Sequence, residues 1–243
     1  MINTTAQQSK NEIVQRISDI RKRINDAQAD SPHGQAVTLM AVTKTVDADR
    51  INAAIEQGGI RCIGENRVQE LCEKYPYLHL DGVSVHLIGT LQSNKVKYII
   101  DKVDMIHSLD SLTLAKEIEK QAAKHNRMMD CLIEINIGEE LSKGGIAPTE
   151  DALFSFYDEA AAFPHIRIRG VMTIAPNSGD NEQYHRHFSK TKDLFDRLCR
   201  EKLPADRDWE PVLSMGMSGS FEEAIRCGSH IVRVGSGIFG ARK

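Results

Sequence analysis

Eight short apolar runs recur along the chain, and each is separated from the next by a helix-length stretch with one polar face. The runs are 37–42, 61–63, 85–88, 105–108, 131–137, 166–174, 212–215 and 231–234. The intervening stretches predict helices over 47–58, 65–75, 93–101, 111–125, 149–162, 181–202 and 220–227. Parallel strands cannot be joined by hairpins and need crossovers of this kind. Eight such units in about 210 residues predict a single α/β domain, a (β/α)8 TIM-type barrel, for which ~250 residues is typical. An open doubly wound sheet has the same alternation, because the pattern does not show closure. Ahead of the units, Ile13, Val14, Ile17, Ile20 and Ile24 recur at a spacing of three or four. An extra amphipathic N-terminal helix within 1–30 is therefore expected to pack on the barrel, making 1–243 one domain.

Charge and cysteine content exclude several functions. The chain has 31 Lys+Arg against 34 Asp+Glu, a net charge of −3, so no basic excess points to nucleic acid or an anionic membrane. No apolar run approaches the roughly 18 residues of a membrane span. The first residues have neither a basic region nor an apolar one, unlike a signal peptide. Five cysteines, an odd number without a C-x-x-C pair, argue against a disulfide framework and a zinc ribbon. A cytoplasmic protein with reduced, buried thiols is expected, and a monomer.

In a barrel the chemistry sits where strands end and βα loops begin. Lys44 follows the first strand at such an end. A surface lysine is the ordinary reading of that position, but partial burial would favour the neutral amine that forms a Schiff base with an aldehyde. After the seventh strand comes Ser214-Met215-Gly216-Met217-Ser218-Gly219-Ser220, with Ser220 and Glu223 spaced as a capping box. After the eighth comes Gly235-Ser236-Gly237-Ile238-Phe239-Gly240. That stretch matches G-x-G-x-x-G, but no βαβ unit or acidic residue follows it, so a dinucleotide site is rejected. Instead, two small-residue loops after strands seven and eight are where barrels bind phosphate. Closure makes strand one the neighbour of strand eight, so Lys44 and the phosphate loops adjoin. An aldehyde-bearing phosphate, pyridoxal 5'-phosphate (PLP), satisfies both. Arg233 lies inside an apolar strand on the same face as Gly235. It needs either a carboxylate partner or a ligand, the pyridine nitrogen of the cofactor being the functional candidate.

Six stretches make the reading specific. They are Ala41-Val42-Thr43-Lys44-Thr45, Gly64-Glu65-Asn66-Arg67-Val68-Gln69-Glu70, His86-Leu87-Ile88-Gly89-Thr90-Leu91-Gln92-Ser93-Asn94-Lys95, Met172-Thr173-Ile174-Ala175-Pro176, Leu213-Ser214-Met215-Gly216-Met217-Ser218 and Val232-Arg233-Val234-Gly235-Ser236-Gly237-Ile238-Phe239-Gly240-Ala241-Arg242. In this order they resemble the pyridoxal phosphate homeostasis protein family, over roughly residues 35–242. The resemblance implies a single barrel like the N-terminal domain of alanine racemase. It further implies a Schiff base on Lys44, phosphate contacts from Ser218, Gly235 and Ser236, Arg233 near the pyridine nitrogen and Asn66 near the cofactor face. The chain departs from the family at Ser220, where Asp is usual, at His230, often Thr, and at Val85, often Trp.

Two function classes follow from these features. One is a carrier that holds PLP and buffers or supplies it, with PLP-dependent apo-enzymes as partners. The other is an enzyme, either a PLP-dependent amino-acid racemase of the alanine racemase type or a Schiff-base aldolase. The eight units leave no room for the second, mostly β domain of the resembling racemases. An arginine at the pyridine nitrogen also makes a poor electron sink, and an aldolase does not explain Arg233. The carrier is therefore expected, with no catalytic residue and no metal. His185 and His187 lie about 200° apart on a helix and cannot share one ion. His86 and His107 are expected as polar core or rim residues, and Glu139-Glu140 and Glu222-Glu223 as solvated.

Overall fold

The computed structural model describes residues 2–140 and 143–240, with side chains from Gln7 onward. Ala241 and Arg242, which end the last motif, lie outside these residues. Eight parallel strands close into a barrel in sequence order: β1 (Thr38–Val42), β2 (Cys62–Glu65), β3 (Ser84–Leu87), β4 (Met105–Leu109), β5 (Met129–Ile135), β6 (Ile166–Thr173), β7 (Val212–Met217) and β8 (Ile231–Val234). Closure rests on β1 pairing with β8, where Met40 stands opposite Arg233 and Ala41 opposite Val234. The open-sheet alternative is thereby excluded.

The helices are α1 (Ile2–Ala29), α2 (Ala48–Glu56), α3 (Val68–Lys74), α4 (Leu112–Lys124), α5 (Glu150–Ala160), α6 (Asn181–Glu201), α7 (Phe221–Arg226) and α8 (Ser236–Phe239). Asp47, Ser111 and Thr149 cap α2, α4 and α5 with side-chain oxygens, satisfying amides that have no partner inside the helix. Two expected helices differ. The stretch 93–101 forms a 3₁₀ helix over Ser93–Tyr98, closed by i→i+3 bonds such as Lys95 to Gln92. It buries Val96, Ile99 and Ile100. The helix expected from 65 begins at Val68, because Glu65 still belongs to β2 and Arg67 is extended.

The stripe Ile13, Ile17, Ile20 and Ile24 of α1 is buried against the barrel's outer layer. Burial of four such side chains at roughly 1.5–3 kcal/mol each makes α1 a substantial part of the core. It comes close to the turn after α2 at Gly58, where a Cβ would stand 2.4 Å from Ile17 Cδ1. Arg21 donates to the Gly58 and Gly59 carbonyls at 2.7 Å, and Arg23 forms a two-pronged pair with Glu222 of α7 at 2.9 Å. The barrel interior is filled by Met40, Val42, Cys62, Ile88 and Ile231 on one side and by Met105, Leu132 and Met172 on the other. Two of the departures from the family pattern are absorbed by packing. His230 accepts the Leu213 amide at 3.1 Å and lies against Phe195, while Val85 is buried.

Candidate functional site

The C-terminal rim of the barrel collects the expected residues. Met40 and Val42 pack together in the barrel interior, and Lys44 lies in the turn two residues beyond the end of β1. Lys44 is half-buried there. The next residue, Thr45, has φ of 61°, a left-handed conformation that a β-branched residue rarely adopts. Such strain persists only where neighbours hold it. Here Glu70 of α3 accepts the Thr45 amide, and Lys74 donates to the Thr43 carbonyl at 2.9 Å. Lys74 also pairs with Glu65 at 3.3 Å and Glu70 at 2.5 Å, and Thr43 Oγ1 donates to Glu65 at 3.0 Å. The turn bearing Lys44 is thus braced by a charge network that is buried at Glu65 and partly buried at Lys74 and Glu70.

Asn66 follows directly on β2, which lies next to β1, since Gly64 stands opposite Val42. Its amide donates to Glu65 Oε1 at 2.7 Å, and its backbone lies so close to Gly89 that a Cβ there would be 2.3 Å from the Asn66 carbonyl oxygen. Among the described residues, Asn66 Oδ1 is buried with no hydrogen-bond partner. A buried unpaired oxygen is costly, so this acceptor fits a ligand that brings a donor.

The loops after β7 and β8 meet at Ser218, whose Oγ accepts the amides of Gly235 at 3.3 Å and Gly237 at 3.4 Å. Gly235 in turn lies against Val42, two residues before Lys44. Ser236 is exposed at the first turn of α8. The structure therefore brings Lys44, Asn66, Ser218, Gly235 and Ser236 onto one arc of the rim. The expected capping box is not formed. Ser220 Oγ turns back to accept the Met217 amide at 3.2 Å, and Glu223 is engaged by His185 and Arg226 instead. Glu222 and Glu223 are accordingly ion-paired rather than simply solvated.

Arg233 is inside the barrel beneath this arc, 4% exposed. Its partners are neutral: NH1 donates to Ser214 Oγ at 2.7 Å and NH2 to the Thr173 carbonyl at 2.8 Å. The alternative of a direct carboxylate pair is not realised. Burial pushes its guanidinium down to about 10, with the nearby Glu134 opposing the shift. It remains a cation at neutral pH, consistent with the weak hydration of a guanidinium. Glu134 itself, on β5 and 9% exposed, is pushed up to about 7 by burial and then by Asp110, against the pull of Arg233. Sequence reasoning missed Glu134. The test applied to Arg233, a charge inside an apolar strand, would have found it in the 131–137 run.

His86 and His107 lie in the barrel wall as a coupled pair, His86 Nδ1 and His107 Nε2 being 2.8 Å apart. His86 Nε2 reaches Ser84 Oγ at 2.8 Å, and Ser84 Oγ reaches Asp104 at 3.4 Å. Burial lowers His86 to about 4 and His107 well below its ordinary value. Both rings are neutral polar core. A cavity of about 600 Å³ lined by Arg21, Asn25, Thr38, Cys62, Ser84 and Ile231 lies at the opposite, N-terminal end of the barrel. Strands do not end there, so it is not the candidate site.

The alanine racemase N-terminal domain matches residues 16–243 of the chain. A pyridoxal phosphate homeostasis protein of Aquifex aeolicus is 41% identical over 230 residues, covering 94% of this chain and 98% of that protein. Among solved structures, an unknown protein from Bifidobacterium adolescentis superposes with a TM-score of 0.87 at 34% identity, covering 96% of both chains. PipY of Synechococcus elongatus, solved with PLP bound, has a TM-score of 0.79 at 30% identity over 94% of this chain and all of that one. The chain belongs to the pyridoxal phosphate homeostasis protein family.

Proposed function

We propose that this chain holds PLP at the C-terminal mouth of its barrel and stores or supplies it without turning over a substrate. The observation that carries this reading is the junction at Ser218, where two loops aim the Gly235 and Gly237 amides at one oxygen. Those amides occupy the acceptor positions of the Ser218 hydroxyl, which leaves its proton for a phosphate oxygen at this junction; a bound phosphate would also take the Gly235 amide from Ser218. When bound, the cofactor brings an aldehyde that condenses with an amine and a phosphate dianion that needs donors. Lys44 supplies the amine. Ser218, Gly235 and Ser236 supply the donors, and Asn66 Oδ1 gains a partner it otherwise lacks. The relative PipY was solved with PLP bound, which supports the same ligand here.

Arg233 is the residue we place against the pyridine nitrogen. It faces the interior as a guanidinium, with Thr173 and Ser214 fixing its orientation. A cation set against the pyridine nitrogen keeps that nitrogen unprotonated and weakens its pull on electrons. The chain thereby holds PLP without activating it for proton abstraction from an amino acid. It works in the cytoplasm as a monomer, and PLP-dependent apo-enzymes receive what it releases. Incubation of the PLP-loaded chain with L-alanine or L-serine, followed by assay of the D-isomer, tests the absence of turnover. The expected rate is far below the ~1 per second at the low end of enzyme turnover. A rate in that range would overturn the carrier reading.

A further inference from the structure

Outside the barrel mouth, His185 of α6 and Glu223 of α7 meet Cys227 at the end of α7. Among the described residues this is the one place where three His, Cys, Asp or Glu donor atoms lie within 4.8 Å of one another. His185 Nδ1 is 2.6 Å from Glu223 Oε1, Cys227 Sγ is 3.6 Å from His185 Nδ1, and Cys227 Sγ is 3.8 Å from Glu223 Oε1. We propose that these three side chains form a binding site for a divalent ion of the zinc type, linking α6 to α7.

The distances carry the proposal. Zinc bonds of ~2.05 Å to nitrogen, ~2.1 Å to oxygen and ~2.3 Å to sulfur at tetrahedral angles place nitrogen and oxygen each about 3.6 Å from sulfur, and nitrogen about 3.4 Å from oxygen. Both sulfur distances already match. The nitrogen–oxygen pair opens by about 0.8 Å when the ion replaces its hydrogen bond. His185 is exposed, so its ring adjusts freely, and Cys227 is buried, so the sulfur is fixed. Arg226 holds the other carboxylate oxygen, Glu223 Oε2, at 3.3 Å, leaving Oε1 as a single ligand.

Charge also balances. A thiolate and a carboxylate neutralise a divalent ion, and a neutral imidazole adds a donor without adding charge. Binding releases the Cys227 proton to solvent, and His185 Nδ1 gives up the proton it donates to Glu223, so that the neutral ring carries its one proton on Nε2 and Nδ1 can ligate. Three protein ligands leave the fourth position to water, with the outer face open at His185. His79 and Glu56 form a comparable exposed His–Glu pair at 2.5 Å, but it is not among the sites with a third donor, so it serves as the internal control.

The test uses the full chain, stripped with a chelator and kept in phosphate-free buffer. Zinc alone is titrated against a chromophoric competitor. One equivalent is expected to bind, with affinity falling about 100-fold or more in His185→Gln and Cys227→Ser and unchanged in His79→Gln. Loss of a direct ligand should at least match the ~10- to 100-fold effect of an outer-shell partner. His185→Gln alters an exposed side chain, so its loss does not reflect misfolding. Cobalt(II) should add a sulfur charge-transfer band in the near ultraviolet that Cys227→Ser abolishes. No stoichiometric zinc in the wild type, or a cobalt band that survives Cys227→Ser, would overturn the site.

Discussion

Ser218 Oγ accepts the Gly235 amide at 3.3 Å and so ties the loop after β7 to the loop after β8. The two residues come from separate β/α units and meet because β7 and β8 pair side by side. Everything proposed for the phosphate depends on this junction, which lies beside the strand leading to Lys44.

The first expectation concerns Ser218 itself. A hydrogen bond to a charged group is worth roughly 1.5–3 kcal/mol, and about 1.4 kcal/mol is tenfold in affinity. Ser218→Ala should therefore weaken PLP retention by roughly ten- to a hundredfold. Pyridoxal, which has no phosphate, should bind wild type and variant alike. Equilibrium dialysis of both ligands decides the matter, and equal losses for both would place the phosphate elsewhere.

Glu134 should make the ligand-free chain less stable as pH rises. Its folded value is about 7 against an ordinary 4.5. Between these the folded chain keeps a proton that the unfolded chain releases, so the stabilisation is complete below pH 4.5 and is lost as pH passes through 7. The full difference is worth about 3 kcal/mol at the ~1.4 kcal/mol of each unit. Denaturant melts at pH 5 and pH 8 should show Glu134→Gln removing most of this loss. A variant that loses as much stability as wild type over that interval would contradict the assignment.

The histidine pair acts with the opposite sign. His86 at about 4 and His107 well below its ordinary value are neutral in the folded chain. Their contribution is complete above pH 6.5 and is lost as pH falls toward the folded values. Nitrogen NMR should find both rings neutral at pH 5.5, with a proton shared across the 2.8 Å contact between His86 Nδ1 and His107 Nε2. An imidazolium signal from either ring at that pH would count against it.

What the sequence revealed follows from how local each feature is. The strands were legible because their apolar runs are short and their helices amphipathic. The meeting of the loops after strands seven and eight was legible because both are built of small residues and follow neighbouring strands. The 3₁₀ helix over Ser93–Tyr98 was not, since an i, i+3 apolar spacing is common to both helix types. The side-chain choice of Ser220 was not either, because Met217 offers an amide that competes with the cap. Arg233 announced that it needed partners but not that they would be Thr173 and Ser214, from two other strands. Glu223 and Cys227 stand one helical turn apart, but His185 lies 38 residues before Glu223, and only packing of α6 on α7 joins it to them.

The most direct test of the central claim is borohydride reduction of the PLP-loaded chain, followed by proteolysis and peptide mapping. The phosphopyridoxyl group should map to the peptide containing Lys44, and Lys44→Ala should lose both the adduct and the visible absorption band. An adduct on Lys95 or Lys143, with Lys44 unmodified, would contradict the account.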